Sequence, residues 1–244
     1  MNKTVLVTGS SIGLGSSLIK EYAKNGYNVV INYLNHEKEA LKLKEEVEKK
    51  YNIKALCIKC NISDENDIKT MLNQSIKEFN KIDVLINNAG ISKDCEFDSK
   101  TKENFMKILE VNLVGTFLVS RIIGNHMYDN KDGVIINISS NNALTEYYEY
   151  SLDYDASKAG VINLTHNLAK HYSPYVRVNC VCPGWINTDM NKNMDKDYKS
   201  QEENKILLHR FAEPEELAKD IYNISTSTYM NDSVIRIDGG ISND

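Results

Sequence analysis

Thr8-Gly9-Ser10-Ser11-Ile12-Gly13-Leu14-Gly15 is the stretch that decides the fold. It lies between a short apolar run at 4–8 and an amphipathic stretch from 16 to 25, so it reads as a strand-to-helix turn. Gly9 suits the tight turn itself. Gly13 and Gly15 remove side chains where backbone must approach a bound pyrophosphate and where helix must pack on strand. The N–H groups so exposed, together with the positive end of the following helix, form a cradle for anions. Three glycines alone fit an ordinary connection equally well. Their place directly after the first strand of a strand–helix–strand unit favours the nucleotide reading.

Outward from this turn, short apolar runs alternate with longer amphipathic ones. Strands are predicted at 4–8, 28–33, 55–58, 84–87, 134–138, 177–182 and 234–237. They are rich in Val and Ile at successive positions, the pattern of strands buried on both faces of a parallel sheet. Helices are predicted at 16–25, 37–50, 64–78, 102–128, 155–172 and 214–224; in the second, Ala40, Leu41, Leu43 and Val47 form one apolar stripe. The expected architecture is α/β: a single Rossmann-type, doubly wound parallel sheet of about seven strands with helices on both faces, spanning 1–244 as one domain. Residues 187–208 are the one irregular polar segment, read as a surface excursion or a lid.

Composition narrows the function classes. The net charge of −5 and the absence of like-charge runs leave no basic face for nucleic acid. No apolar run reaches the ~18–20 residues that a membrane helix needs. The opening Met1-Asn2-Lys3, running straight into a strand, is not expected to be a signal peptide. Five cysteines, an odd number, point to free thiols and a cytoplasmic setting. Cys57 and Cys60 spell C-x-x-C, but at the end of a strand and not at a helix start, so buried thiols are expected there and at Cys180 and Cys182. The histidines His36, His126, His166, His171 and His209 are scattered without ligand spacing, and no metal site is expected.

Tyr154 and Lys158 stand four residues apart at the start of a predicted helix and so share one face. Of the 14 tyrosines, only Tyr154 has a lysine four residues later. A free tyrosine, with its pKa near ~10, is no base at neutral pH. An adjacent ammonium, together with the positive ring of a bound nicotinamide, would favour phenolate and lower that value. A lone pair at this spacing would read as a surface contact. Here it follows Ser139-Ser140, which closes the fifth strand at the sheet's carboxyl edge.

Taken together, T-G-x-x-x-G-x-G, Asn87-Asn88-Ala89-Gly90, Asn112, Ser140, Tyr154-x-x-x-Lys158, Pro183-Gly184-Trp185-Ile186-Asn187-Thr188 and Asp238-Gly239-Gly240 resemble the short-chain dehydrogenases/reductases along the whole chain. The resemblance implies an NAD(P)(H)-dependent oxidoreductase interconverting a carbonyl and a secondary alcohol. Its catalytic residues would be Asn112, Ser140, Tyr154 and Lys158. In this reading Tyr154 exchanges a proton with the substrate oxygen, Ser140 binds that oxygen, and Asn112 kinks its helix and supports a proton relay to Lys158. Ser139 is the second candidate for the serine, because the Ser140–Tyr154 interval runs one residue longer than the family's usual spacing. Cofactor contacts are expected from Gly9, Ser10, Ser11, Ile12, Gly13, Gly15, Tyr33, Asn35, Asn61, Ile62, Asn88, Ala89, Gly90, Tyr154, Lys158, Pro183, Gly184, Ile186 and Thr188.

NAD-binding relatives place an acid at the end of strand two to bond the ribose 2′-hydroxyl. Tyr33 stands there instead, with no carboxylate before Glu37, and Ser10, Asn35 and His36 are within reach of a 2′-phosphate. NADP(H) is therefore favoured, with NAD(H) the alternative. Gly90-Ile91-Ser92-Lys93-Asp94 and Arg210–Glu216 echo the 3-oxoacyl-(acyl-carrier-protein) reductases. The alternatives are a sugar-alcohol or steroid dehydrogenase of the same family, or a non-catalytic cofactor sensor, which would be expected to lose the Tyr or the Lys. The loop 129–132 carries one lysine between two acids, and the interval before Tyr154 holds Glu146, Tyr147, Tyr148, Glu149 and Tyr150. Such surroundings suit a small or neutral ketone better than a chain carried by an acidic protein. The family resemblance also implies a homotetramer, with Phe117, Leu118, Ile122, Ile123, Val161, Ile162, Leu164 and Leu168 supplying more apolar surface than one core-facing stripe requires.

Overall fold

The β-branched runs form seven strands: β1 (Thr4–Val7), β2 (Asn28–Tyr33), β3 (Ala55–Lys59), β4 (Val84–Asn87), β5 (Gly133–Ile138), β6 (Val176–Pro183) and β7 (Val234–Ile237). In this computed structural model, which describes residues 2–144, 148–188 and 194–241, they make one parallel sheet in the order β3-β2-β1-β4-β5-β6-β7. Every residue of β1 and β4 is buried, as two-sided coverage requires. The order reverses between β1 and β4, which pair through Val5–Val84, Leu6–Leu85 and Val7–Ile86. A crevice therefore opens at their carboxyl ends.

The helices α1 (Gly13–Lys24), α2 (Glu37–Tyr51) and α8 (Pro214–Thr226) cover one face. Leu18, Ile19 and Tyr22 of α1 meet Leu217 and Ile221 of α8 over Val5, Val7 and Ile31. On the other face, α3 (Glu65–Phe79), α5 (Thr116–Asp129) and α6 (Leu152–Tyr172) bury Ile68, Met71, Val119, Ile123 and Leu168 against Leu6, Leu85 and Val178.

Three elements differ from the sequence reading. The helix predicted at 102–128 is two helices, α4 (Lys102–Leu109) and α5, joined by a π-helical turn at Glu110–Gly115. The apolar periodicity runs through this turn without a break, so it gives no sign of the widened backbone. The helix carrying Tyr154 starts at Leu152, three residues earlier than predicted. Within 187–208, expected to be irregular, lies α7 (Lys196–Lys205). Asp195 caps it by accepting from the N–H groups of Asp197 and Tyr198. Its one buried side chain is Glu202, which accepts from Trp185 Nε1 at 3.2 Å and from Lys205 at 2.6 Å. A helix whose anchors are polar or lie outside it leaves no apolar stripe to read.

The surplus apolar surface on α5 and α6 is smaller than the sequence suggested. Leu118, Ile123, Val161 and Leu168 are core residues, and Ile122, Ile162 and Leu164 are half-buried; Phe117 is exposed, with Val114 beside it. Cys60, Cys180 and Cys182 are buried and Cys57 half-buried, all as free thiols. Burial pushes the thiols of Cys57 and Cys60 up to about 11 and about 12, which leaves them protonated and inert. Among the described residues no helix is long and apolar enough to cross a membrane, and no group of three His, Cys, Asp or Glu side chains is placed to hold a metal ion.

The α5–α6 contact depends on a missing side chain. A Cβ on Gly124 would stand 2.7 Å from the Tyr172 ring, whose hydroxyl donates toward Ser120 O and Asn125 Oδ1. Overpacking of this kind costs ~1–3 kcal/mol. Gly124→Ala should therefore lower the melting temperature by about 2–4 °C per kcal/mol in a chain of this size, measured by thermal unfolding. An unchanged melting temperature would show that Tyr172 can yield without cost.

Candidate active site

The glycine turn is tied to its neighbours on both sides. Gly9 and Gly13 take φ of +60° and +57°, the left-handed region that glycine tolerates. Asn32 Oδ1 accepts from Gly9 N–H at 3.0 Å, while Asn32 Nδ2 donates to Cys60 O at 3.1 Å. On the other side, Asn88 Nδ2 donates to the carbonyls of Thr8 and Gly9, each at 3.0 Å. The Thr8 hydroxyl accepts from the N–H groups of Asn88 and Ala89. A Cβ on Gly15 would meet Gly9 O at 2.5 Å, so the first turn of α1 lies directly on the loop.

No side chain caps the start of α1. That opening, at the positive end of a helix and bare of side chains at Gly13 and Gly15, has the shape and charge to seat a pyrophosphate. Thr188 lies over Gly13, at 3.6 Å from a Cβ placed there, and brings the Pro183–Thr188 stretch to the same crevice. Gly184 closes against Asp238, and Ile186 bridges to Ala212. Ser10 and Ser11 are buried within the turn, and Asn35 is exposed beyond β2. Asn61 turns the chain after β3, its side chain accepting from Ser63 N–H, and Ile62 packs on Gly115 of the π-helical turn.

Tyr33 departs from the simple reading of strand two. Its ring is buried and its hydroxyl donates to Glu37 Oε1 at 3.0 Å. The first turn of α2 thus returns a carboxylate to the strand end that the linear sequence leaves without one.

The second half of the site is built on β5 and α6. Ser140 closes β5, accepts from Asn142 N–H at 3.2 Å and stands near enough to the Tyr154 hydroxyl to lower its pKa. Ser139 turns the other way and donates to Lys158 O at 2.8 Å, so it serves the helix backbone. Lys158 is buried; its Nζ donates to Ile138 O at 2.8 Å and lies 5.5 Å from the centre of the Tyr154 ring. A Cβ on Gly90 would stand 3.5 Å from Lys158 Nζ and 3.4 Å from Asn112 Oδ1, so the loop after β4 meets both residues. Asn112 sits in the π-helical turn, accepts from Ile91 N–H at 2.8 Å, and donates to Ile91 O and Ser157 Oγ. Its carbonyl accepts from Thr116 at 2.7 Å. Such single π turns accompany functional sites.

The electrostatics differ from the expectation that Lys158 depresses the tyrosine. Burial pushes the Tyr154 hydroxyl up to about 12, against the lowering effect of Ser140, and the Asp155 and Asp94 charges add to the rise. Burial pulls Lys158 down to about 8, against the opposing influence of Cys180 and Cys182. Without further positive charge in the site, Tyr154 is protonated at neutral pH.

Sequence reasoning missed Asn32, which holds the glycine turn to β2 and β3. It also missed Asp155, which accepts from Asn142 Nδ2 at 2.9 Å and from Tyr148 N–H at 3.2 Å, and so fixes the loop after Ser140. Asn32 is a polar residue inside an otherwise apolar stretch of strand, and that is the available signal. Asp155 looks like an ordinary first-turn acid. Tyr147 and Glu146 lie outside the described residues.

An anion cradle at the strand-order reversal, beside a serine–tyrosine–lysine cluster, defines an oxidoreductase that works on a carbonyl or alcohol with a dinucleotide. The chain belongs to the short-chain dehydrogenases: the family model of that description matches residues 3–199. It is 32% identical over 244 residues to a 3-oxoacyl-[acyl-carrier-protein] reductase of Staphylococcus epidermidis, covering 99% of both chains. It is 35% identical over 242 residues to the reductase of that name from Aquifex aeolicus, covering 98% of this chain and 97% of that one. A solved short-chain type dehydrogenase/reductase from Mycobacterium marinum superposes with a TM-score of 0.93 at 32% identity, covering 99% and 96% of the two chains. The protein is thus an NAD(P)(H)-dependent oxidoreductase of the kind that interconverts carbonyls and alcohols, resembling the 3-oxoacyl reductases.

Two outcomes follow from this geometry. Tyr154→Phe keeps the ring and removes the proton, so kcat should fall by the ~10²–10⁴ of a lost general acid, with cofactor affinity nearly unchanged; turnover close to wild type would remove Tyr154 from the reaction. The pH profile of kcat/KM reports groups of the free enzyme. With Tyr154 near 12 and Lys158 near 8, carbonyl reduction should decline above pH about 8 as Lys158 loses its charge. A flat profile to pH 10 would contradict a requirement for that charge.

Proposed function

We propose that the protein is an NADP(H)-preferring carbonyl reductase of the 3-oxoacyl-reductase type whose preferred substrate is a small or neutral ketone. The observation that carries this reading is Lys158 Nζ 5.5 Å from the centre of the Tyr154 ring, with Ser140 acting on the tyrosine's hydroxyl, next to the glycine cradle. Gly9 to Gly15 would hold the pyrophosphate, Asn61, Ile62 and Asn88 to Gly90 the adenosine side, and Pro183 to Thr188 the nicotinamide side. When bound, the nicotinamide supplies or accepts the hydride. Ser140 donates to the substrate carbonyl oxygen and stabilises the charge that develops there. Tyr154, protonated at neutral pH, gives its proton to that oxygen. Lys158 places an ammonium behind the tyrosine and eases the loss of that proton. Asn112, fixed by Ile91 and Ser157, holds the helix backbone open beside Lys158.

The NADP(H) preference rests on the neutral Tyr33 at the end of β2 and on Ser10, Asn35 and His36 beside it; the Glu37 carboxylate that Tyr33 holds there is the feature that favours the alternative, NAD(H). The ketone preference is supported by the sparse positive charge near the entrance. Asp94 acts on Tyr154, and Glu96 and Glu149 act on Tyr150, all in the direction that disfavours anions. A panel of kcat/KM values with NADPH and NADH, comparing ethyl acetoacetate with a 3-oxoacyl carrier protein, tests both parts. NADPH and the free ester should win, and Tyr33→Asp should reverse the cofactor order by placing a carboxylate against the 2′-phosphate. Wild-type preference for NADH would overturn the cofactor reading. Strong preference for the carrier-bound chain would move the protein into acyl-chain synthesis.

A homotetramer is proposed on the family's pattern, with Val114 and Phe117, 44% and 39% exposed, as apolar surface left on the π-helical turn and α5. Light scattering at micromolar concentration should give four chains, and a monomeric mass would refute it.

A further inference from the structure

We propose that Lys100 and Asp153 form a positioning clamp for the reacting tyrosine, an inference that rests on the reading of Tyr154 given above. The two residues are 53 apart in sequence, yet Lys100 Nζ lies 2.9 Å from Asp153 Oδ1, with the side chains 4% and 0% exposed. Both are therefore charges withdrawn from water, a placement that needs a reason. The same ammonium donates to Lys93 O at 2.9 Å and to Tyr150 O at 3.3 Å. It thus joins the loop after β4, the loop ahead of α6 and the first turn of α6. The contact of Cys95 N–H with Tyr150 O, at 3.1 Å, closes the same seam.

Asp153 Oδ1 also accepts from the N–H of Tyr154 at 3.0 Å. One oxygen atom therefore holds both the buried ammonium and the backbone of the tyrosine that carries the proton. On the other side of Tyr154, Asp155 is tied to Asn142 and Tyr148. The tyrosine is bracketed by two anchored aspartates, and only Asp153 is anchored to the loop after β4. Burial works against the charge on Lys100, but the Asp153 carboxylate outweighs it and holds the ammonium above its ordinary range. The second carboxylate oxygen, Oδ2, is buried without a hydrogen-bond partner among the described residues. A pair kept under that penalty makes a rigid, directional link between the β4 loop, which meets Lys158 through Gly90, and the residue next to Tyr154.

The clamp does not touch the reacting atoms, so its signature is a split between turnover and binding. The test compares wild type with Lys100→Met, with the charge-free pair Lys100→Met/Asp153→Leu, and with Asp153→Asn, using ethyl acetoacetate and NADPH. Well-packed apolar residues can replace a buried ion pair without loss of stability, so the charge-free pair should melt near wild type. Its kcat should nevertheless fall at least tenfold, with the NADPH dissociation constant within twofold of wild type. Asp153→Asn keeps an oxygen for Lys100 and for Tyr154 N–H and should retain kcat within about threefold. A charge-free pair with wild-type kcat would reduce the clamp to a structural filler and overturn the proposal. So would a parallel collapse of kcat and NADPH affinity. The charge-free pair carries the test if Lys100→Met does not fold. Failure of wild type to reduce the ester would count against the functional reading alone. The clamp is then judged by hydrogen exchange, which should speed up at least tenfold at Tyr154 and Cys95 in the charge-free pair and stay unchanged in β1; unchanged exchange at Tyr154 and Cys95 overturns it.

Discussion

The hydrogen bonds that Asn88 and Thr8 make across the β1–β4 gap are the constraint on which the site depends. At the point where strand order reverses, two adjacent strands send their chains to opposite faces, and nothing in the sheet itself fixes the ends. Asn88 bonds the carbonyls of Thr8 and Gly9, and Thr8 returns the contact through its hydroxyl. Asn32 does the same from β2. The glycine turn is left with its backbone pinned and its helix N-terminus open, a rigid anion cradle assembled from neutral side chains.

The reacting cluster is held by the same economy of means. Ser140, Lys158 and Asn112 are each fixed by a backbone or neutral partner, and the one strong charge among them, Lys158, is buried against a carbonyl. Burial therefore sets the proton chemistry, raising the tyrosine and lowering the lysine in the chain alone. Two groups pushed in opposite directions at one site are the arrangement in which acid and base roles become separable. The π-helical turn belongs to this design, since it presents the Asn112 side chain to the β4 loop while α4 and α5 remain packed on either side.

Around this centre the chain arranges polar anchors that reach partners distant in sequence. Glu202 meets Trp185 from 17 residues away, Asn142 meets Asp155 from 13, and Lys100 meets Asp153 from 53. Of these contacts only Lys100–Asp153 is a buried ion pair, the kind that costs ~3–5 kcal/mol when one partner is removed. Lys100 and Asn142 hold the loops on either side of Tyr154.

The sequence by itself determined the seven-stranded parallel sheet and the glycine turn that opens its first helix, and it put Tyr154 and Lys158 on one helix face. Those features are written in short-range signals: β-branched runs, glycines at a strand end, and an i, i+4 pair on one helix face. Tertiary structure alone decided the rest. It split the predicted helix at 102–128 with a π turn, because a widened turn preserves the apolar pattern that periodicity reads. It made a helix within 187–208, because that helix is anchored by a buried glutamate and by aromatic residues outside it. It turned Ser140 toward Tyr154 and Ser139 toward the backbone of Lys158, because successive residues at a strand end point to opposite sides and only the fold says which side faces the tyrosine. It brought Glu37 back to Tyr33 and Lys100 to Asp153, contacts whose energy comes from desolvation and geometry across the fold and leaves no spacing to recognise along the chain.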